Sequence, residues 1–334
     1  MKLIRSKSLA FLNNKGWVWK TTIAYNTAIK LAEHWYKTVL VDLDTQCNLS
    51  RLTMGPLFEE TLFSSTQTIA DILKWIIQWG WDINTSIKPL PIQENLSLIP
   101  WSLLLSEYEN LLTTAYNQAA SGTRLGYFQT SAIQRYIDYI GLHEEVDVFV
   151  IDCSPNLNLL NRVILLGSDF FITPLMPDAF SVQWIQNLWK TLTQRKDDWK
   201  VTAKVLARKT PAEQVLNGEW IFLWYIINSY NQYAKRPISA HRDRIAKIPS
   251  QIKEHISLKH CKNGLVETSR PTPLQLLKDY WQLSADSQIA NKAIFNLVAW
   301  KVFTDVEGTA ENKELADVQF DELAVRIEEL LEVY

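Results

Sequence analysis

Glycine is scarce in this 334-residue chain: it occurs ten times, where average usage near 7% would give about 23. Tryptophan occurs 14 times. With so few glycines, few positions are free to take a left-handed backbone, and a tryptophan standing at a turn becomes informative. Cysteine is as sparse. Cys47, Cys153 and Cys261 are far apart and odd in number, which argues against a disulfide framework or a metal pattern and leads us to expect a reduced, cytoplasmic protein. His241, His255 and His260 lack a ligand partner at zinc spacing, nothing supports a Ser-His-Asp triad, and the dehydrogenase pattern G-x-G-x-x-G is absent. No apolar run reaches the roughly 20 residues of a membrane span. The opening MKLIRSKSLAFLNN is basic at first, but its apolar run is too short for a secretory signal. The net charge of −2 favours no partner by itself, and 47% hydrophobic residues suffice for a large core.

What is present is concentrated between Ser8 and Ser50. Ser8–Leu12 is a short apolar run that suits a buried strand, and Asn13-Asn14 suits the turn after it. Lys20-Thr21-Thr22 opens a segment with Ile23, Ala24, Thr27, Ala28 and Leu31 at helical spacing. Thr38–Asp42 is a second strand, with Asp42 and Asp44 at its C-terminal end. Strand, loop, Lys-Thr, helix, strand is the context in which a phosphate-binding loop works. There, backbone N–H groups of the loop and helix N-terminus hold phosphate oxygens, a lysine adds charge and a hydroxyl binds Mg²⁺.

The loop resembles that of the ParA/MinD family of deviant Walker ATPases, K-G-G-x-G-K-T-T. Here it reads Lys15-Gly16-Trp17-Val18-Trp19-Lys20-Thr21-Thr22. Both lysines, both threonines and the first glycine match; the second and third glycines are tryptophan, so the ordinary G-x-x-x-x-G-K-[ST] pattern fails at Trp19. Trp35, Trp101, Trp184, Trp224 and Trp281 also fall where related sequences or turn chemistry place glycine. We therefore expect an altered version of a natural sequence in which tryptophan replaced glycine, the alternative being a naturally tryptophan-rich homologue. Glycine codons at these sites in the source gene would confirm the first.

Further along, Thr68–Gln78 carries Ile69, Ile72, Leu73, Ile76 and Ile77 on a helical stripe, ended by Trp79-Gly80-Trp81. Residues 82–94, with Pro89 and Pro91, read as loop. Leu96–Ile99 reads as a strand and Ser102–Leu112 as a helix. The polar stretch Asn117–Phe128, with Gly122 and Gly126, reads as a mobile loop, and Ser131–Ile140 as a helix. Val146–Asp152 has five apolar positions in seven, which suits a parallel strand buried on both faces. Its ending Asp152-Cys153-Ser154-Pro155 resembles the Walker B strand of the same family. Phe170–Thr173 and Ile221–Asn228 are further strands. Ser181–Thr191, His241–Lys247, Ser284–Val302 and Val318–Leu331 read as helical. A strand-terminating cap is the alternative role for Asp42 and Asp152, and a turn residue that for Asn228.

The expected fold is α/β, one doubly wound domain over residues 1–334 with a mainly parallel sheet and helices on both faces. Ligands of such sheets sit beyond the carboxyl ends of the strands, where Asp42, Asp44 and Asp152 lie. The resemblance implies a P-loop NTPase that binds ATP and Mg²⁺, dimerises around two ATP molecules and positions DNA or other cargo, together with a partner protein that stimulates hydrolysis. It assigns Lys20 to the β/γ-phosphates, Thr21 to Mg²⁺ and Thr22 to the α-phosphate side, within a loop opened by Gly16. Asp152 would hold a Mg²⁺-bound water, Asp44 orient the attacking water and Asp42 support Mg²⁺. Lys15 would cross to the partner's phosphates, and Asn228 would read the adenine edge. From Lys190 to Arg270 there are sixteen Lys/Arg against seven Asp/Glu; from Asp305 to Tyr334, ten acids against two bases. The basic stretch makes Lys235, Arg236, Arg242, Arg244 and Lys247 candidates for non-specific DNA contact, a solvated helix face being the alternative. The acidic C-terminal helix argues against a MinD-like membrane anchor. Two alternatives stay open: a MinD-like positioning ATPase, and a binding module of the same fold whose nucleotide site is blocked.

Overall fold

The computed structural model describes residues 3, 5–13, 19–62, 67–80, 82–206, 210–230, 232–233, 236–237, 243, 245–250, 273–298 and 309–333. In chain order, β1 (Lys7–Phe11), α1 (Lys20–Glu33) and β2 (Thr38–Leu43) come first, then α2 (Asn48–Met54), α3 (Leu57–Leu62) and α4 (Ile69–Trp79). β3 (Leu90–Gln93), β4 (Leu96–Ile99), α5 (Leu105–Ala120), α6 (Arg124–Thr130) and α7 (Ala132–His143) follow. Then come β5 (Val148–Cys153), α8 (Leu159–Gly167), β6 (Phe170–Leu175), α9 (Ala179–Leu206) and β7 (Ile221–Tyr230). β8 (Gln232–Tyr233), β9 (Arg236–Pro237), β10 (Leu276–Lys278), α10 (Trp281–Ala290) and α11 (Thr309–Val333) complete them.

One eight-stranded sheet runs in the order β10-β7-β6-β1-β5-β2-β4-β3. All its neighbours pair in parallel except β3 with β4. Every residue of β1, β2, β5 and β6 is buried, as a parallel sheet covered on both faces requires. The doubly wound α/β architecture is therefore as expected. Asp42 and Asp152 are register partners, so the sheet itself brings their carboxylates side by side.

Several elements differ from the sequence expectation. Asn117–Phe128 is no loop. α5 continues to Ala120, Gly122 (φ 80°) makes the turn, and α6 starts at Arg124. Gly126 serves packing rather than mobility: a Cβ there would lie 2.2 Å from the Ala119 backbone nitrogen, so only glycine lets α6 approach α5 this closely. Within residues 82–94, Leu90–Gln93 forms an antiparallel edge strand on β4, the place where Pro91 is tolerated. The region Ser284–Val302 is not one helix; α10 stops at Ala290 because Asn291 takes a left-handed backbone (φ 53°), and residues 299–302 lie outside the described ones. α9 is far longer than Ser181–Thr191. Of the expected helix His241–Lys247, positions 241, 242 and 244 lie outside the described residues; 243 and 245–250 are helical. Thr68 and Asp71 close a reciprocal capping box at the start of α4, a device whose cap residue is worth about 1 kcal/mol.

The tryptophans divide. Trp19 (φ 53°), Trp35 (φ 70°) and Trp224 (φ 151°) have backbones that favour glycine. Trp35 sits just past the end of α1, the usual glycine position, and Trp224 follows a shift in the β6–β7 register. Trp101, Trp184 and Trp281 take ordinary backbone angles, which lends their proposed glycine ancestry no support. Trp17 lies outside the described residues.

α11 clamps the far end of α1. His34 faces Glu328 Oε1 at 2.6 Å and Asp321 Oδ1 at 2.9 Å through its two ring nitrogens. Lys30 pairs with Glu33 at 2.8 Å and Asp317 at 2.5 Å, and Tyr36 donates to Glu332 at 3.3 Å. Burial opposes charge on the imidazole, but the two carboxylates outweigh it and raise its pKa above 6.5. A raised folded value means that the stabilisation is complete below 6.5 and is lost as pH rises through the folded value. His34→Gln is therefore expected to flatten the fall of melting temperature in the window just above pH 6.5; an unchanged slope would show that the clamp does not titrate.

Candidate nucleotide site

The three parallel strands β1, β5 and β2 end along one edge of the sheet, and each delivers part of the site. The β1–α1 connection delivers Lys20 and Thr21 at the first turn of α1, β2 delivers Asp42 and then Asp44, and β5 delivers Asp152. Lys20 is buried between two carboxylates: its Nζ donates to Asp44 Oδ2 at 3.2 Å and to Asp152 Oδ1. Thr21 Oγ1 donates to the other Asp152 oxygen at 2.7 Å. Burial would lower the Lys20 pKa, yet the charges of Asp152 and Asp44 overcome it and the net direction is upward, so Lys20 is an ammonium throughout the physiological range.

Asp42 is fully buried and committed to the turn that follows it. Its Oδ1 accepts from the Asp44 N–H at 3.1 Å. Its Oδ2 accepts from the Ser50 N–H at 2.7 Å and the Ser50 hydroxyl at 2.6 Å. Burial and the neighbouring Asp152 charge push its carboxyl up to about 7, against the pull of the Ser50 hydrogen bonds. Asp44 Oδ1 accepts from the Gln46 N–H at 3.0 Å. Ser154, just beyond β5, donates to the Leu43 carbonyl at 3.2 Å and accepts from the Thr45 N–H at 3.3 Å, lacing the two strand ends together.

Of the sequence candidates, the structure gathers Lys20, Thr21, Asp42, Asp44 and Asp152. The Thr22 hydroxyl lies 3.4 Å from that of Ser284 on α10. Asn228 is buried near the end of β7, two strands from β1. Lys15 and Gly16 lie outside the described residues, as do Lys235, Arg242 and Arg244; Lys247 is exposed. Sequence reasoning missed Ser50, Ser154 and Ser284. Only Ser154 had a signal, its place two residues after Asp152 near the end of β5.

The donor set fits a phosphate-bound Mg²⁺, with a hydroxyl and a carboxylate as hard oxygen groups and a lysine ammonium beside them. Trp19 does not suit the loop equally well: it caps α1 in a left-handed conformation (φ 53°, ψ 29°) without a side-chain cap. Among the described residues no group of three or more His, Cys, Asp or Glu side chains is arranged to hold a metal ion by itself. No helix among them is long and apolar enough to cross a membrane.

Lysine and threonine at a helix N-terminus, with aspartates at the ends of two adjacent parallel strands, define a P-loop nucleotide-binding protein of the doubly wound α/β class. A family model described as an AAA domain matches residues 6–205. An uncharacterized protein of Methanocaldococcus jannaschii is 31% identical over 69% of this chain and 75% of its own length. The sporulation initiation inhibitor protein Soj of Bacillus subtilis is 29% identical over 56% of this chain and 64% of its own. An ATP complex of McdA from Cyanothece superposes with a TM-score of 0.63 over 97% of both chains at 13% identity, a likeness of fold. The chain belongs to the ParA/Soj-like P-loop ATPases. It spans 64% of the length of Soj.

Proposed function

We propose that the chain is a partition-type ATPase that binds Mg-ATP, dimerises around two nucleotides and positions DNA or other cargo. The observation that carries this reading is the convergence of Lys20, Thr21, Asp44 and Asp152 at one edge of the sheet. Lys20 contacts the β/γ-phosphates once it leaves its carboxylate partners. The Thr21 hydroxyl would hold Mg²⁺, Asp152 would do so through a water, and Asp42 would support the metal by fixing the turn beside it. When bound, Mg²⁺ would neutralise phosphate charge. Asp44 orients the attacking water. Thr22 serves the α-phosphate side, Gly16 lets the loop approach the phosphates, and Asn228 reads the adenine. Lys15 reaches the partner's phosphates and stabilises transition-state charge, as an arginine finger does, so the dimer completes the active site.

The basic stretch 190–270 supplies non-specific DNA binding in the ATP-bound dimer, and a partner protein stimulates turnover. The test combines light scattering with DNA binding across a salt series, with and without Mg-ATP, in a chain with Trp17 and Trp19 returned to glycine. ATP should double the mass and promote DNA binding. Neutralising Arg242, Arg244 and Lys247 together should weaken binding to every sequence and reduce the salt slope by up to about three. An unchanged slope removes this surface from DNA binding, and a mass independent of ATP removes the sandwich dimer.

A further inference from the structure

The turn between β2 and α2 carries Asp44, and its backbone is an unusual one. Cys47, which caps α2, has φ 48° and ψ 26° with no side-chain cap. A non-glycine residue holds such a conformation only where its surroundings over-determine it. The Asp44 carboxylate holds the Gln46 N–H, Ser154 holds the Thr45 N–H, and the buried Ser50 ties the whole turn through Asp42. Ser50 is wholly buried, and its hydroxyl both donates and accepts a hydrogen bond. It donates to Asp42 Oδ2 at 2.6 Å and accepts from the Trp101 N–H, beyond the end of β4, at 2.9 Å. Its own N–H reaches the same Asp42 oxygen at 2.7 Å. The other Asp42 oxygen holds the Asp44 N–H at 3.1 Å. The Cys47 N–H closes the turn onto the Asp44 carbonyl at 2.8 Å.

We infer that Ser50 is a positioning residue: through Asp42 it fixes the turn that presents Asp44, and through the Trp101 N–H it ties that turn to the loop after β4. Two loops that belong to different crossovers thereby move as one. Nothing about Ser50 places it in contact with nucleotide; its effect on turnover passes through Asp44, and to that extent the inference rests on the role proposed above for Asp44.

The sequence pattern alone did not single out Ser50, because its partners are eight and 51 residues away in the chain. The loop it reaches continues into Leu103 and Leu104, both 53% exposed. The tie therefore runs from the water-orienting turn to the molecular surface at the start of α5.

Ser50→Ala and Ser50→Thr test the inference by two measurements. The first is amide hydrogen exchange on the nucleotide-free chain, where the Asp44 and Trp101 N–H groups should exchange at least tenfold faster in Ser50→Ala. They should stay within threefold of the parent in Ser50→Thr, which keeps the hydroxyl. Unchanged exchange in Ser50→Ala overturns the inference whatever the chain does with ATP, and equal acceleration in both variants does so too, since packing rather than the hydroxyl would then hold the turn. The second is turnover in the chain with Trp17 and Trp19 returned to glycine, where Ser50→Ala should lower kcat about tenfold with KM within twofold, and Ser50→Thr should recover it. Faster exchange with unaltered kcat overturns the link to Asp44. If the glycine-restored parent itself has no turnover, the ATPase reading fails, and the exchange measurement still decides whether Ser50 fixes the turn.

Discussion

Returning Trp17 and Trp19 to glycine is expected to convert a chain with little or no Mg-ATP binding into one that binds it in the micromolar range. The backbone of Trp19 carries the structural half of the argument. It sits at φ 53° and ψ 29° immediately before Lys20, a region that costs a non-glycine residue about 1–3 kcal/mol. Micromolar affinity corresponds to roughly 8 kcal/mol, so strain of that size weakens a site without abolishing it. Exclusion is the larger effect. Loop N–H groups must come within about 2.9 Å of phosphate oxygens, and glycine is the residue that permits so close an approach. An indole at either position occupies phosphate space or moves the loop away. Trp19 is half-buried and packs against the hydrophobic core, so its ring also anchors the start of α1 in its present place. Isothermal titration of both chains with Mg-ATP is the measurement. Affinity in the unreverted chain equal to that of the double variant would reject the steric argument, and a reverted chain that folds yet does not bind would reject the nucleotide site.

The parts of this site that could be read from the sequence are those where chemistry is written into contiguous residues. Buried parallel strands appear as unbroken apolar runs, which is why β1, β2 and β5 and the aspartates at their ends stood out. The Lys20-Thr21 pair was legible because a helix start follows a strand at short range. The sandwich of Lys20 between Asp44 and Asp152 was not, since it depends on β5 entering the sheet between β1 and β2. Gly126 misled in a different way: glycine in a polar stretch suggests a loop, and here it marks the crossing of two helices. The His34 clamp joins residues 287 and 294 positions apart, beyond any local pattern. Asn291 ended α10 early because it takes a left-handed backbone, a role usually given to glycine, which this chain has little of.

In the glycine-restored chain, Asp44→Ala is expected to bind Mg-ATP at least as tightly as its parent and to lose turnover by about 100-fold or more, the usual scale for removing a group that manages the attacking water's proton or orientation. The direction on binding follows from the ion pairs. Before nucleotide arrives, Lys20 is held by Asp44 and Asp152, and those contacts compete with any phosphate for the same ammonium. Removing Asp44 weakens the competition and leaves Asp152 to keep Lys20 paired and the buried charge compensated. Asp152 behaves differently because it serves Thr21 as well as Lys20. Its loss strips the hydroxyl and the ammonium of a shared acceptor, and Mg²⁺-dependent affinity should fall about 10- to 100-fold, as for other partners of metal ligands. Asp152→Asn, which keeps the shape of this fully buried side chain, accompanies Asp152→Ala to separate metal binding from stability. Titration with ATP in Mg²⁺ and in EDTA, beside single-turnover hydrolysis, distinguishes the two aspartates. Turnover in Asp44→Ala equal to its parent's would remove Asp44 from the reaction. An affinity loss in the Asp152 variants that is the same in EDTA would remove Asp152 from the metal and leave it the partner of Lys20 and Thr21.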